Sequence, residues 1–271
     1  MKYSRYQDYS GDLTALTERV LLTAWPALSD YHSELVLVGG LVPRHLCRSQ
    51  PLVLPAVTMD VDLGIALGAS AGQYGTLSSH LEGLGFKNVD NRFLKRVDDR
   101  TGIHLDFLTE VPGRAKGTVM VDDVPTSVFR GIERALAVNR ECEVSGTDLY
   151  GAQQRCQIRV CEVGPYLVLK LIAFGSRVLP KDAFDLHQMA LHYDGGSAAA
   201  IAAFAAEHRV NSGFDAARAA LAEHFTDVDR NGPLRGAAFV FGDNPAATAA
   251  DDSLRFRQEL VNFGRALLEA T

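Results

Sequence analysis

Long apolar runs are missing from this chain: none of its 271 residues belongs to a stretch approaching the roughly 18 apolar residues a membrane helix needs. The opening Met1-Lys2-Tyr3-Ser4-Arg5-Tyr6-Gln7-Asp8 lacks the apolar segment of a signal peptide. The expected location is therefore cytoplasmic, with no membrane partner. Cysteine is scarce, and Cys47, Cys142, Cys156 and Cys161 contain no CxxC pair. That spacing points to reduced structural thiols rather than a zinc site or a disulfide framework. Positive charge is also lacking. A net charge of −6 excludes a polycation that binds nucleic acid over its whole surface, although a local basic groove can still act inside an acidic protein. Phosphate-loop, dinucleotide-binding and serine-hydrolase signatures are absent, and the eight histidines form no HExxH set. His45, just after the first apolar strand, is the histidine expected near a site.

What remains is an ordinary globular composition, 47% hydrophobic and 22% charged, long enough for one large domain or two modest ones. Helical spacing covers Gly11 to Leu28, Leu41 to Cys47 and Tyr74 to Leu84, the last closed by Gly85. Strand patterns cover Glu34 to Val38, Met59 to Ile65, Ile103 to Leu108, Thr118 to Val121 and Ile158 to Val163. Pro51 and Pro55 mark Ser49 to Val57 as a loop. Beyond Gly164-Pro165 the chain turns alanine-rich, with helices expected over Tyr166 to Ser176, Lys181 to Tyr193, Ser197 to His208, Phe214 to His224 and Ser253 to Ala270. Asn231-Gly232-Pro233 reads as punctuation between helices. The expected fold is α/β (α+β), with a sheet domain over 1–163 and a helical C-terminal domain over 164–271.

The chemistry sits in a few side chains. Leu35-Val36-Leu37-Val38 ends in Gly39-Gly40, and Thr58-Met59-Asp60-Val61-Asp62 follows. Strand alternation puts Asp60 and Asp62 on one face, an oxygen-rich pair suited to Mg²⁺. The glycines let the backbone, and the N-terminus of the helix after it, approach a phosphate. Asp106 is a third acid inside an apolar strand and completes a carboxylate triad if that strand lies beside Asp60. Lys170 stands alone in an apolar helix, either a snorkelling lysine or a cation aimed at a triphosphate. Arg177, Lys181, Asp182 and Asp185 follow, and the two acids also suit an ordinary helix N-terminus. Arg92, Lys95, Arg96 and Arg100 read as a solvated basic face among Asp98 and Asp99.

The order Val38-Gly39-Gly40, Thr58-x-Asp60-x-Asp62, then Asp106 resembles the polymerase-β-like nucleotidyltransferase superfamily. The later Lys170, Arg177 and Lys181-Asp182-x-x-Asp185 resemble one branch, the AbiEii/AbiGii-like toxins, MenT-type tRNA nucleotidyltransferases among them. The resemblance implies Mg²⁺, or Mn²⁺ in its place, held by Asp60 and Asp62. It implies nucleotide contacts from Gly39, Gly40, Thr58, Lys170, Arg177, Lys181 and Asp182, and catalytic roles for Asp60, Asp62, Asp106, Lys170 and Asp185, the last brought by the helical domain. An NTP would be the substrate, the 3′ end of tRNA the acceptor, and an antitoxin protein the partner. Relatives often carry arginine two residues before the Ser/Thr, where this chain has Ala56. The alternatives are nucleotide transfer to a small molecule or a protein, and a degenerate domain that binds nucleotide or a partner without turnover.

Overall fold

The computed structural model describes residues 3–9, 11–49, 54–69, 76–246 and 249–271. Pro51 of the expected loop and Tyr74 of the expected third helix lie outside them. The chain runs α1 (Gly11–Ala27), β1 (Leu35–Val38), α2 (Pro43–Leu46), β2 (Asp60–Ile65), α3 (Leu77–Gly83), β3 (Phe86–Val89), β4 (Arg92–Arg96) and β5 (Gly102–Thr109). It continues through β6 (Thr118–Val121), β7 (Val124–Val128), α4 (Ile132–Ala137), β8 (Asn139–Thr147) and β9 (Gln153–Cys161). Helices α5 (Val163–Arg177), α6 (Pro180–His192), α7 (Gly196–Ala206), α8 (Phe214–His224), α9 (Asn231–Phe241) and α10 (Ala250–Glu269) complete it. The fold is mixed α/β, with a helical C-terminal region. Among the described residues no helix is long and apolar enough to cross a membrane.

Contacts divide the chain into two units: Gly11–Val42 with Val57–Glu162, and Met1–Ser10, Pro43–Ala56 with Val163–Thr271. The first carries all nine strands of the described residues in one sheet, ordered β3-β4-β5-β2-β1-β9-β8. β7 joins β5 beyond β4, and β6 joins β7. β1 and β2 are antiparallel, whereas β2 and β5 run parallel. The second unit is helical. It differs from a simple cut at 163/164 because two earlier segments pack into it. The Tyr6 ring lies 5.3 Å from that of Phe184, and the Asp194 carboxylate accepts both the Arg48 and Ser49 amides at 2.7 Å.

β7, α4 and β8 are absent from the sequence reading, and three further local patterns depart from its expectation. α9 begins at Asn231-Gly232-Pro233, read above as punctuation, because proline within a first turn gives up only an amide that has no helical partner. The expected helix after Gly39-Gly40 is a single 3-10 turn, Gly39–Leu41, and the four-residue α2. Neither is long enough to build a dipole of consequence at a phosphate. β3 and β4 form a hairpin absent from the sequence reading, with Asp90 and Asn91 in left-handed conformation at φ 52° and 64°. Two left-handed residues in a two-residue loop match the twist of paired strands, and Asp and Asn tolerate that conformation best after glycine.

Candidate active site

β5 alternates strictly. Ile103, Leu105 and Phe107 are buried, while His104, Asp106 and Leu108 are half-buried on the opposite face. Its parallel register with β2 sets Asp60 beside His104 and Asp62 beside Asp106. Paired residues share a face, so the two strands, about 4.8 Å apart, present Asp60, Asp62, His104 and Asp106 together. The far end of that face is closed, since a Cβ on Gly64 would lie 3.3 Å from Ile132 of α4.

Gly39 shapes the other flank. It stands at φ +73°, and a Cβ there would fall 1.9 Å from Asp62 Oδ2 and 2.8 Å from Asp62 Cβ. The Asp62 carboxylate thus occupies the space a side chain would take, which gives the first glycine a steric reason. Gly40 is buried in the same turn. Thr58 is buried too, and its hydroxyl donates to Asp60 O at 3.2 Å. Its amide bonds Thr14 Oγ1 at 3.1 Å, and its carbonyl accepts from Thr17 Oγ1 at 3.2 Å. Thr58 therefore fixes the start of β2 to α1, with its hydroxyl turned to the main chain.

The basic cluster is not a uniform solvated face. Arg96 and Arg100 are exposed, as expected. Arg92 instead extends the β4–β5 register to a place opposite Asp106. Its Nε bonds Asp106 Oδ1 at 2.7 Å, while one terminal nitrogen reaches Asp106 Oδ2 at 2.5 Å and Asp60 Oδ1 at 3.0 Å. This fork geometry is the strong form of a carboxylate–guanidinium pair. The hydrogen bond to Asp106 raises the Arg92 pKa against the cost of burial. Asp106 is pushed up to about 6: burial leads, and repulsion from Asp62 and Asp60 adds to it, outweighing Arg92. His104 is the histidine on this face, and it was not singled out in the sequence. Its Nδ1 is buried without a hydrogen-bond partner among the described residues. Burial first, then the Arg92 charge, lower its pKa, against the pull of Asp60.

The donor set is one a hard cation takes, carboxylate oxygens on adjacent strands. Among the described residues no group of three or more His, Cys, Asp or Glu is drawn together as a formed metal cluster. Arg92 supplies the positive charge between Asp60 and Asp106.

The chain matches no protein-family model, no curated protein and no solved structure.

In the helical unit, the later motif forms a network of its own. Lys170 Nζ donates to Asp185 Oδ2 at 2.5 Å and to Asp182 Oδ1 at 3.4 Å. Lys181 Nζ donates to both Asp185 oxygens, at 3.0 and 2.7 Å. Arg177 grips Asp182 through two bonds of 2.8 Å. Lys170 does not snorkel: its side chain is only 8% exposed, and Asp185 is fully buried. Burial opposes the Lys170 charge, but Asp185 and Asp182 outweigh it and hold its pKa above the ordinary lysine value. The two acids are thus anion partners inside the helix pair rather than solvated charges at a helix start. Of these five side chains, Arg177 reaches solvent, at 40% exposure. His45 is buried in α2 of this unit, whereas the carboxylates belong to the sheet unit. The four cysteines are all buried thiols.

Proposed function

We propose that the Asp60–Asp62–Asp106 face is the metal- and nucleotide-binding site of a nucleotidyltransferase. One observation carries the reading: Asp60, Asp62 and Asp106 share one face of a parallel strand pair, with Gly39 giving up its side-chain space to Asp62. Acids on neighbouring positions of one face repel, and a cation bound among them relieves that cost. Asp60 and Asp62 would hold Mg²⁺, which supplies charge neutralisation at the α-phosphate and the leaving pyrophosphate. The acceptor hydroxyl oxygen bonds to the α-phosphorus, the bond to pyrophosphate breaks, and the hydroxyl proton leaves to a base. Asp106, beside Asp62 in register, would share the metal or take that proton. Gly39 lets the Asp62 carboxylate lie against the backbone on this face.

The resemblance extends this proposal to the tRNA 3′ end as acceptor and an antitoxin as partner. It also gives Lys170, Arg177, Lys181, Asp182 and Asp185 parts in nucleotide binding. Their burial and mutual bonds support an order within that set. Arg177 is exposed enough to meet a phosphate directly, while Lys170, Lys181, Asp182 and Asp185 act by holding α5 and α6 together. A second reading, nucleotide or partner binding without turnover, is favoured by the Arg92 guanidinium on Asp60 and Asp106.

The deciding test offers the protein each α-labelled NTP with total RNA, total protein and small hydroxyl compounds. Label should appear on one acceptor class, and Asp62→Ala should cut it by at least about a hundredfold, the scale of a lost electrostatic stabiliser. No transfer with any acceptor, alongside saturable NTP binding, would favour the second reading.

A further inference from the structure

Arg92 has no part in the transfer chemistry just described, yet it makes the shortest polar contacts on the acidic face. It bridges both strands, with two bonds to Asp106 on β5 and one to Asp60 on β2. The tight Asp90-Asn91 turn fixes its backbone at the start of β4. Its own side chain is 37% exposed, against 7% for Asp60 and 19% for Asp106. The Arg92 side chain is thus more exposed than either carboxylate it holds.

We propose that Arg92 is a built-in counter-cation of the acidic face, which a divalent cation must displace from Asp60 and Asp106. This rests on the reading of that face as a metal site. Three carboxylates on adjacent strand positions repel, and Arg92 relieves this with a single charge spread over a planar fork. A divalent ion offers twice the charge in a smaller volume and uses the same oxygens. Arg92 already holds both Asp106 oxygens and Asp60 Oδ1, so a metal drawing on all three acids meets its charge there. Competition follows, and it sets metal affinity below what the three acids alone would give. A released guanidinium is a ready fork for phosphate oxygens. An NTP thus gives Arg92 a new partner, and metal and NTP should each strengthen the other's binding, as linkage requires.

The test reads metal binding itself, by electron paramagnetic resonance of Mn²⁺ titrated into the full chain without nucleotide. R92Q should bind Mn²⁺ on the order of tenfold more tightly than wild type, within the usual coupling range. R92K should fall between them, because an ammonium cannot fork onto two carboxylates. A non-hydrolysable NTP analogue should tighten Mn²⁺ binding in wild type and do so much less in R92Q. Equal or weaker binding in R92Q, where Asp62→Asn abolishes wild-type binding, overturns the counter-cation and leaves the metal site standing. Absence of saturable Mn²⁺ binding in every protein overturns both. A second measurement needs no variant at Arg92. In ¹⁵N-labelled wild type, Mg²⁺ should shift the Arg92 Nε–H resonance and speed its exchange with water. A resonance unmoved at saturating Mg²⁺ overturns the proposal.

Discussion

Replacing Gly39 with alanine isolates the contact on which the acidic face is built. Two costs can be worked out. Gly39 stands at φ +73°, and the left-handed region costs an L-residue about 1–2 kcal/mol. The new methyl would also meet Asp62 Oδ2 at 1.9 Å and Asp62 Cβ at 2.8 Å. Because the Asp62 Cβ itself is too close, rotating the carboxylate away relieves only part of the clash. A forced off-rotamer side chain adds about 0.5–1.5 kcal/mol. The sum is about 1.5–3.5 kcal/mol, read by urea denaturation with circular dichroism. A double-mutant cycle separates the parts. In an Asp62→Ala background the carboxylate is gone and the Cβ at 2.8 Å stays, so Gly39→Ala should cost the backbone part plus a smaller clash, leaving a coupling of up to about 1 kcal/mol. Equal costs in both backgrounds would refute the claim that Asp62 is what makes glycine necessary. A single-variant cost below about 0.5 kcal/mol would refute the backbone argument as well.

Asp106 predicts a pH dependence. Its folded-state pKa of about 6 lies above the ordinary 3.8, so its contribution to stability is full below the unfolded value and is lost as pH rises through 6. The difference amounts to about 2 kcal/mol between pH 4 and 7.5. Asp106→Asn should remove that slope and be the more stable protein at pH 7.5, whereas a wild-type profile flat across this range would show that the Arg92 pair dominates. In the helical unit, Asp185→Asn strips a fully buried partner from two lysines and should cost about 3–5 kcal/mol in the same denaturation assay. Lys170→Met leaves Lys181 on Asp185, so its cost should sit near the lower end; losses under 1 kcal/mol in both would mean the network carries little stability.

The acids of the candidate site were legible one at a time. Asp60 and Asp62 share a face because strand side chains alternate, and Gly39-Gly40 marks the end of an apolar strand; both are local properties of a few consecutive residues. Most helices were legible from apolar spacing for the same reason. α9 was not, because proline can open a helix as readily as it stops one. The β3–β4 hairpin had a local signal in Asp90-Asn91, weaker than the glycine-containing pairs that usually mark such turns.

Pairing across distance was beyond the sequence. Which strand lies beside β2, and in what register, depends on how the whole sheet packs, and a shift of one residue would turn Asp106 to the other face. Arg92 shows the same limit. Among Lys95, Arg96 and Arg100 it looked like one more solvated charge, and only the β4–β5 register brought its guanidinium to Asp60 and Asp106. Lys170 carried its charge in an apolar helix for all to read, but whether that charge reached water or an acid depended on the packing of α5 against α6. The sequence by itself determined which residues could carry charge, metal or a tight turn, because those are properties of side chains and their immediate neighbours. Tertiary structure decided which charges meet, because burial and strand register are set by the folded chain as a whole.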